Sequence, residues 1–311
     1  WTGIPTETAS APPLDPTGIS RSVIQRHSAL IPVFHVPTVW FPSTSVAIAT
    51  LHGSNISDAI LSSAQFHFKE IPVTSMIDCP TFIDLRALTK SAPAAASQDD
   101  PFGADARKLP VRAGPCSLLA VSLPTGSGNC AGLAADTWVL VESGAVTLTG
   151  PAGAIELREG HSAVIARGTP FAWRTDAQTS LIGMDYPEGE AGKPGIIAID
   201  NEASLGPSNP PAANLLLGET PTCRSNNHFA SGDELFKCGI WDSTPYQRTP
   251  IFFHHTELMH LLAGQVTFTD AAGRSATFSK GDTYIIEQGA ECSWDSQEYV
   301  AKIYSLFRPA T

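Results

Sequence analysis

Gly144, Gly153, Gly160, Gly168 and Trp173 recur as Gly264, Gly273, Gly281, Gly289 and Trp294, at offsets of 120 or 121 residues. The text between them recurs as well. GAVTLTGPAGAIELREG in the first copy lies opposite GQVTFTDAAGRSATFSKG in the second, and Pro124 answers to Pro245. A repeat on this scale makes the chain two related units before any single motif is weighed. Each copy reads as short strands: residues 138–141, 146–149, 154–157 and 163–166, then 258–262, 266–269, 275–278 and 283–287. Short alternating strands spaced by about 8 to 12 residues, with glycine at the corners, are what a small β-sandwich or jelly-roll barrel requires.

Composition removes several function classes. Hydrophobic residues are 42% and charged residues 16% of the 311, which is too apolar for a wholly disordered chain. With 30 Asp+Glu against 19 Lys+Arg the formal charge is −11, so the global field repels phosphate backbones and anionic headgroups. No nucleic acid and no membrane are expected as partners. Apolar stretches are strand-sized, well under the roughly 18 residues of a membrane span. The cysteines at 79, 116, 130, 223, 238 and 292 form no CxxC pair, so reduced thiols and a cytoplasmic location are expected. No P-loop, GxGxxG, GxSxG or HExxH occurs, which takes support from nucleotide, serine-hydrolase and zinc-hydrolase readings.

Outside the repeat the text is poorer. The chain starts at Trp1, its first methionine is Met76, and residues 1–75 of the stretch 1–104 show no sustained period. That stretch is expected to be a poorly structured extension without a clear domain, with Met76 as one hypothesis for a native start and few contacts from residues 1–75. Residues 90–105 read as a flexible connection. Residues 187–226, rich in Pro, Gly and Asn, read as a linker running along the surface.

The second copy carries a recognisable set of landmarks. Gly239, Trp241, Thr244 and Pro245 open it; Glu257 stands seven residues before Gly264; Gly281-Asp282, Gly289, Trp294 and Lys302-Ile303-Tyr304 follow. On these residues it resembles the cupin superfamily, and more narrowly the ureidoglycine aminohydrolase-like cupins, across about 233–308. The repeat extends the resemblance to 105–186, so the chain looks like a bicupin. The expected fold is all-β: two cupin-type (RmlC-like) jelly-roll barrels, barrel 1 at 105–186 and degenerate, barrel 2 at 227–308, behind the extension.

The resemblance implies a metal test. The ordinary metal-binding cupin pattern is an HxH pair, a Glu and a later His, suited to Mn, Fe, Ni or Zn. Here those places read Ile251, Phe253, Glu257 and Cys292; in the first copy the last two are Thr137 and Phe171. The ExH, His and Gln pattern of ureidoglycine aminohydrolases is not reproduced either. No metal is expected in barrel 1. In barrel 2, residues i and i+2 share a face, which sets His255 beside Glu257 and leaves open an irregular one-metal site of His255, Glu257 and Cys292. Against it stands the plainer alternative of polar side chains hydrogen-bonded at a barrel mouth. His254 and His260 have the other parity and are expected to face outward or across an interface.

The reading is a small-molecule-binding protein whose pocket in barrel 2 is lined by Phe253, Trp241 and Trp294. In its enzymatic form Glu257 is a general base in hydrolysis or isomerisation of a small nitrogenous or carbohydrate-derived metabolite. The alternative is a non-catalytic ligand-binding or assembly module with decayed metal sites. A homodimer through barrel faces stays open.

Overall fold

The computed structural model describes residues 81–90, 92, 99–102 and 106–310. The expectations for residues 1–75 and for a start at Met76 lie outside the described residues. In chain order come β1 (Phe82–Asp84), helix α1 (Arg86–Lys90), β2 (Arg107–Pro110), β3 (Ser117–Leu123), β4 (Gly126–Cys130), β5 (Asp136–Ser143), β6 (Ala145–Gly150), β7 (Gly153–Arg158), β8 (Ser162–Ile165), β9 (Phe171–Thr175) and β10 (Thr179–Tyr186). The connection carries β11 (Ile196–Ile199), β12 (Gly206–Ser208) and a 3-10 turn (Ala213–Leu215). Then follow β13 (Cys223–Ala230), β14 (Phe236–Ser243), β15 (Tyr246–Phe252), β16 (Thr256–Ala263), β17 (Gln265–Thr269), β18 (Ser275–Ser279), β19 (Thr283–Ile286), β20 (Glu291–Ser296) and β21 (Val300–Phe307).

Among the described residues these strands make four sheets, ordered β11-β8-β5-β10-β3-β2, β4-β9-β6-β7, β1-β19-β16-β21-β14-β13-β12 and β15-β20-β17-β18. Matching β3–β10 to β14–β21 makes the internal orders of the two halves identical, so the repeat in the text is a repeat of topology. In each half a large sheet closes on a small one. Val139, Leu148, Leu157 and Trp173 fill the first sandwich, and Met259, Phe268, Phe278 and Trp294 the second.

The expected alternation appears only in the small sheets, where β6 buries every second side chain on its way to solvent. β5 and β16 instead hold six successive buried residues each. The large sheets are covered on both faces, because their outer faces pack on each other through Trp138, Leu140 and Met184 against Ile240, Leu258 and Ile303. Tyr186 stacks on Phe236 with ring centroids 5.6 Å apart, and its hydroxyl donates to Asp233 Oδ2 at 2.6 Å. The outer faces of the two large sheets thus cover each other within one chain.

Edges are covered by the segments that lay outside the repeat. β1 adds to β19 with Phe82 opposite Ile286, and β11 adds to β8 with Ile196 opposite Ile165. Residues 82–90, inside the stretch expected to hold no domain, therefore supply a strand and a helical turn, because an open sheet edge presents unpaired N–H and C=O groups. Arg86 ties this strand to the second sandwich through Asp84 and Asp282. Asp282 also accepts from the Ser279 amide at 2.8 Å, closing the Gly281-Asp282 turn, where Gly281 has φ +87°. No helix among the described residues is long and apolar enough to cross a membrane.

Side-chain size is exchanged between the copies. Leu119 faces Gly183 in the first sandwich, whereas Gly239 faces Tyr304 at the matching place in the second. A Cβ on Gly183 would lie 2.4 Å from the Trp138 carbonyl oxygen, a backbone atom fixed in the centre of the sheet. Gly183→Ala is therefore expected to destabilise the protein by about 1–3 kcal/mol, read as a lower urea midpoint with an unchanged slope.

Candidate functional site

The inner face of the second sandwich carries the charged groups. On β16, Glu257 and Met259 point inward together; on β21, Lys302 lies opposite both Leu261 and Trp241 in register. Lys302 Nζ donates to Glu257 Oε1 at 2.8 Å and lies 3.1 Å from Met259 Sδ. It also stands over the rings of Trp241 and Trp294, at 4.9 and 5.6 Å from their centroids. His255 Nε2 is 3.5 Å from Glu257 Oε2.

From there the contacts run round the mouth and close. The His255 and Phe253 rings are 5.2 Å apart, the Arg248 guanidinium is 5.6 Å from the Phe253 centroid, and Tyr246 stacks on Trp294 at 5.3 Å. Tyr246 and Arg248 are two apart on β15, sharing the inward face, with Arg248 opposite Trp294. Side-chain exposures of 15% for His255, 11% for Glu257 and 8% for Lys302 place these three where solvent still reaches them.

Burial alone would raise the Glu257 carboxyl. The Lys302 ammonium and the hydrogen bond from His255 override it and hold the group down to about 2. Burial pulls the Arg248 guanidinium down, pushes the Cys292 thiol up to about 11, and raises the phenols of Tyr246 and Tyr284. The site at neutral pH therefore has an ionised Glu257 and a protonated Cys292.

The structure brings together Phe253, His255, Glu257, Trp241 and Trp294, all named from the sequence, but it does not complete a metal centre with Cys292. Among the described residues no group of three or more His, Cys, Asp or Glu is placed to hold a metal ion. The donor set does not fit one: Oε1 of the single carboxylate is occupied by an ammonium, and the thiol would have to ionise against its burial. The sequence reading missed Lys302, Arg248 and Tyr284. Lys302 stood in the closing motif, and its parity with Tyr304 was the available signal. Arg248 had a weaker one, two residues from Tyr246 in an otherwise uncharged strand.

The first sandwich supplies the contrast. By register, the places of Trp241, Arg248, Glu257, Tyr284 and Lys302 are held there by Val121, Gly128, Thr137, Ala163 and Leu181. None is charged. A separate cavity of about 380 Å³ lies between the two halves, lined by Glu142, His161, Asn201 and His260 among others. It is remote in parity from Glu257, since His260 faces the other side of β16 and bonds Thr283 Oγ1 at 2.9 Å. We take the inner face of the second sandwich as the site, because the charges converge there.

Removing one partner of a largely buried ion pair leaves the other unpaired. Lys302→Met is expected to cost about 3 kcal/mol at neutral pH, and Lys302→Met with Glu257→Leu much less. The pH dependence should weaken. In the wild type, Glu257 is depressed from 4.5 to about 2, so its contribution is present above pH 4.5 and is lost as pH falls toward 2. Without Lys302 burial is opposed by His255 alone, so the stability gained as pH rises through the acid range is expected to shrink. Urea midpoints across pH 3 to 8 read both slopes.

A family model for the EutQ-like cupin domain matches residues 230–304. A crystal structure of a DUF861-family protein of unknown function from Pseudomonas syringae pv. tomato str. DC3000 is similar at 32% identity. The match covers 68% of this chain and 91% of that one, with a TM-score of 0.63. Protein Ylba from E. coli, also DUF861, matches at 14% identity over 74% of this chain and 92% of its own, with a TM-score of 0.45. A putative dioxygenase from Nostoc punctiforme matches at 12% identity over 73% and 82%, also at 0.45. These two likenesses carry no weight for the chemistry of the site. No curated protein matches the chain. Matched at that identity over nearly all of the Pseudomonas protein, and folded as two β-sandwiches, this chain belongs to the DUF861 family of cupins.

Proposed function

We propose that the chain is a bicupin that binds a small molecule in its second barrel without a metal, the first barrel being structural. The observation that carries this reading is the 2.8 Å contact between Lys302 Nζ and Glu257 Oε1, under two tryptophans and beside His255. An internal ammonium supplies the positive charge that a metal would supply in the ordinary cupin pattern. The rings of Trp241, Trp294, Tyr246 and Phe253 provide the apolar walls that a small ligand needs around a few fixed polar groups.

The same pair argues for binding over base catalysis by Glu257. A general base works best with a pKa near the operating pH, and Glu257 at about 2 holds a proton too weakly. Hydrolysis or isomerisation of a small nitrogenous or carbohydrate-derived metabolite has one observation in its favour. His255, oriented by the Glu257 carboxylate at 3.5 Å, is placed to move a proton at the mouth. Among the described residues five cysteines are buried and free, which supports a reducing, cytoplasmic setting.

Metal analysis tests the reading. Protein purified after growth with added Mn, Fe, Ni and Zn is expected to carry less than stoichiometric metal, and its thermal midpoint is expected to be unchanged by a chelator. Stoichiometric metal that is lost on Glu257→Ala would overturn it.

A further inference from the structure

Arg248 is a buried cation with no counter-ion. It is 5% exposed, and its Nη1 donates to the carbonyl oxygens of Cys292 at 2.8 Å and Thr249 at 3.2 Å. Carbonyls are dipoles without net charge, and no carboxylate among the described residues forms an ion pair with it. Glu257 is within its electrostatic reach, yet that carboxylate is already held by Lys302 and His255. The inner face thus has two permanent cations, Arg248 and Lys302, against one carboxylate. Buried charges are ordinarily paired, because desolvating an unpaired one is costly.

A second, independent observation falls in the same interior. Tyr284 is fully buried, and its Oη has no hydrogen-bond partner. It lies opposite Met259 on the inward face, within electrostatic reach of Glu257, Tyr246 and Cys292. A buried polar atom left alone in a native fold calls for a missing partner.

We infer that the second barrel takes a small carboxylate ligand, with the Arg248 guanidinium as its anchor and Lys302 and Tyr284 as further polar contacts. This rests on the small-molecule reading and deepens it by naming the ligand class. A carboxylate supplies what both orphans lack: one negative charge for the cation excess, and acceptor oxygens suited to a planar guanidinium fork and a phenol. The Tyr246, Phe253 and Trp294 rings are the surfaces that the organic part of such a ligand would meet. Entry is at the mouth, where His255 and Glu257 stay partly exposed. The first barrel has Gly128, Ala163 and Leu181 at the matching places and offers no such site.

The test uses the full chain with acetate, glycolate and benzoate, each beside its neutral primary amide, in titration calorimetry, tryptophan fluorescence and thermal unfolding. At least one acid is expected to bind one-to-one and raise the thermal midpoint, with its amide bound more weakly by about tenfold or more. Arg248→Met is expected to cost that acid about tenfold or more in affinity, with Arg248→Lys between, and Arg174→Met on the surface without effect. If Arg248→Met does not fold, the acid-against-amide comparison on the wild type decides alone. Equal binding of acid and amide, unaffected at Arg248, overturns the anion assignment and leaves the small-molecule reading standing. No binding by either series also overturns it, and stoichiometric metal in the same preparation would remove the small-molecule reading too.

Discussion

The outer faces of the two large sheets are packed on each other, and this constraint shapes everything else in the molecule. A strand in a single sandwich has one wet face and one dry face. Here β5 and β16 are dry on both, because Trp138, Leu140 and Met184 of one half need Ile240, Leu258 and Ile303 of the other. Neither half would keep that surface in water without association. With those faces closed, the interior of each sandwich and the seam between the halves are the enclosed places left for chemistry.

The two interiors then diverged in what they hold. The five matching positions are aliphatic, glycine or threonine in the first sandwich and charged or aromatic in the second. An aliphatic interior adds stability and asks nothing of its partners. One with Arg248, Lys302 and Glu257 carries desolvation cost that only good pairing offsets. The Lys302–Glu257 contact offsets part of it, and the two tryptophan faces add cation–π stabilisation to the ammonium. The remaining positive charge on Arg248 is the feature that links the energetics of the fold to the kind of molecule it can receive.

Local text determined a good deal. The glycines at 144, 153, 160 and 168 and their counterparts mark corners because each adopts positive φ, which other residues resist. The strands between them followed, and so did the topology, since similar text recurring at an offset of 120 or 121 residues folds the same way twice. The shared inward direction of Glu257 and Met259 follows from parity on β16, whereas Phe253 and His255 lie in the bend between β15 and β16, so their meeting with Glu257 came from the turn and not from strand parity. The alternation expected for β5 and β16 was not met, because periodicity reports exposure, and a strand covered on both faces has none to report.

What only the tertiary structure decided was which charges meet. Glu257 and Lys302 are 45 residues apart, and the unbroken register of β16 on β21, from Glu257 opposite Leu306 to Leu261 opposite Lys302, sets them on one inner face. Arg248 reaches the same interior across a bulge between β15 and β20. β1 reaches the edge of β19 from about 200 residues away in the chain. Pattern and parity act over a few residues and are written locally, whereas pairing, register and the sign of the net charge in a pocket are set by segments that meet only once the sheets have closed.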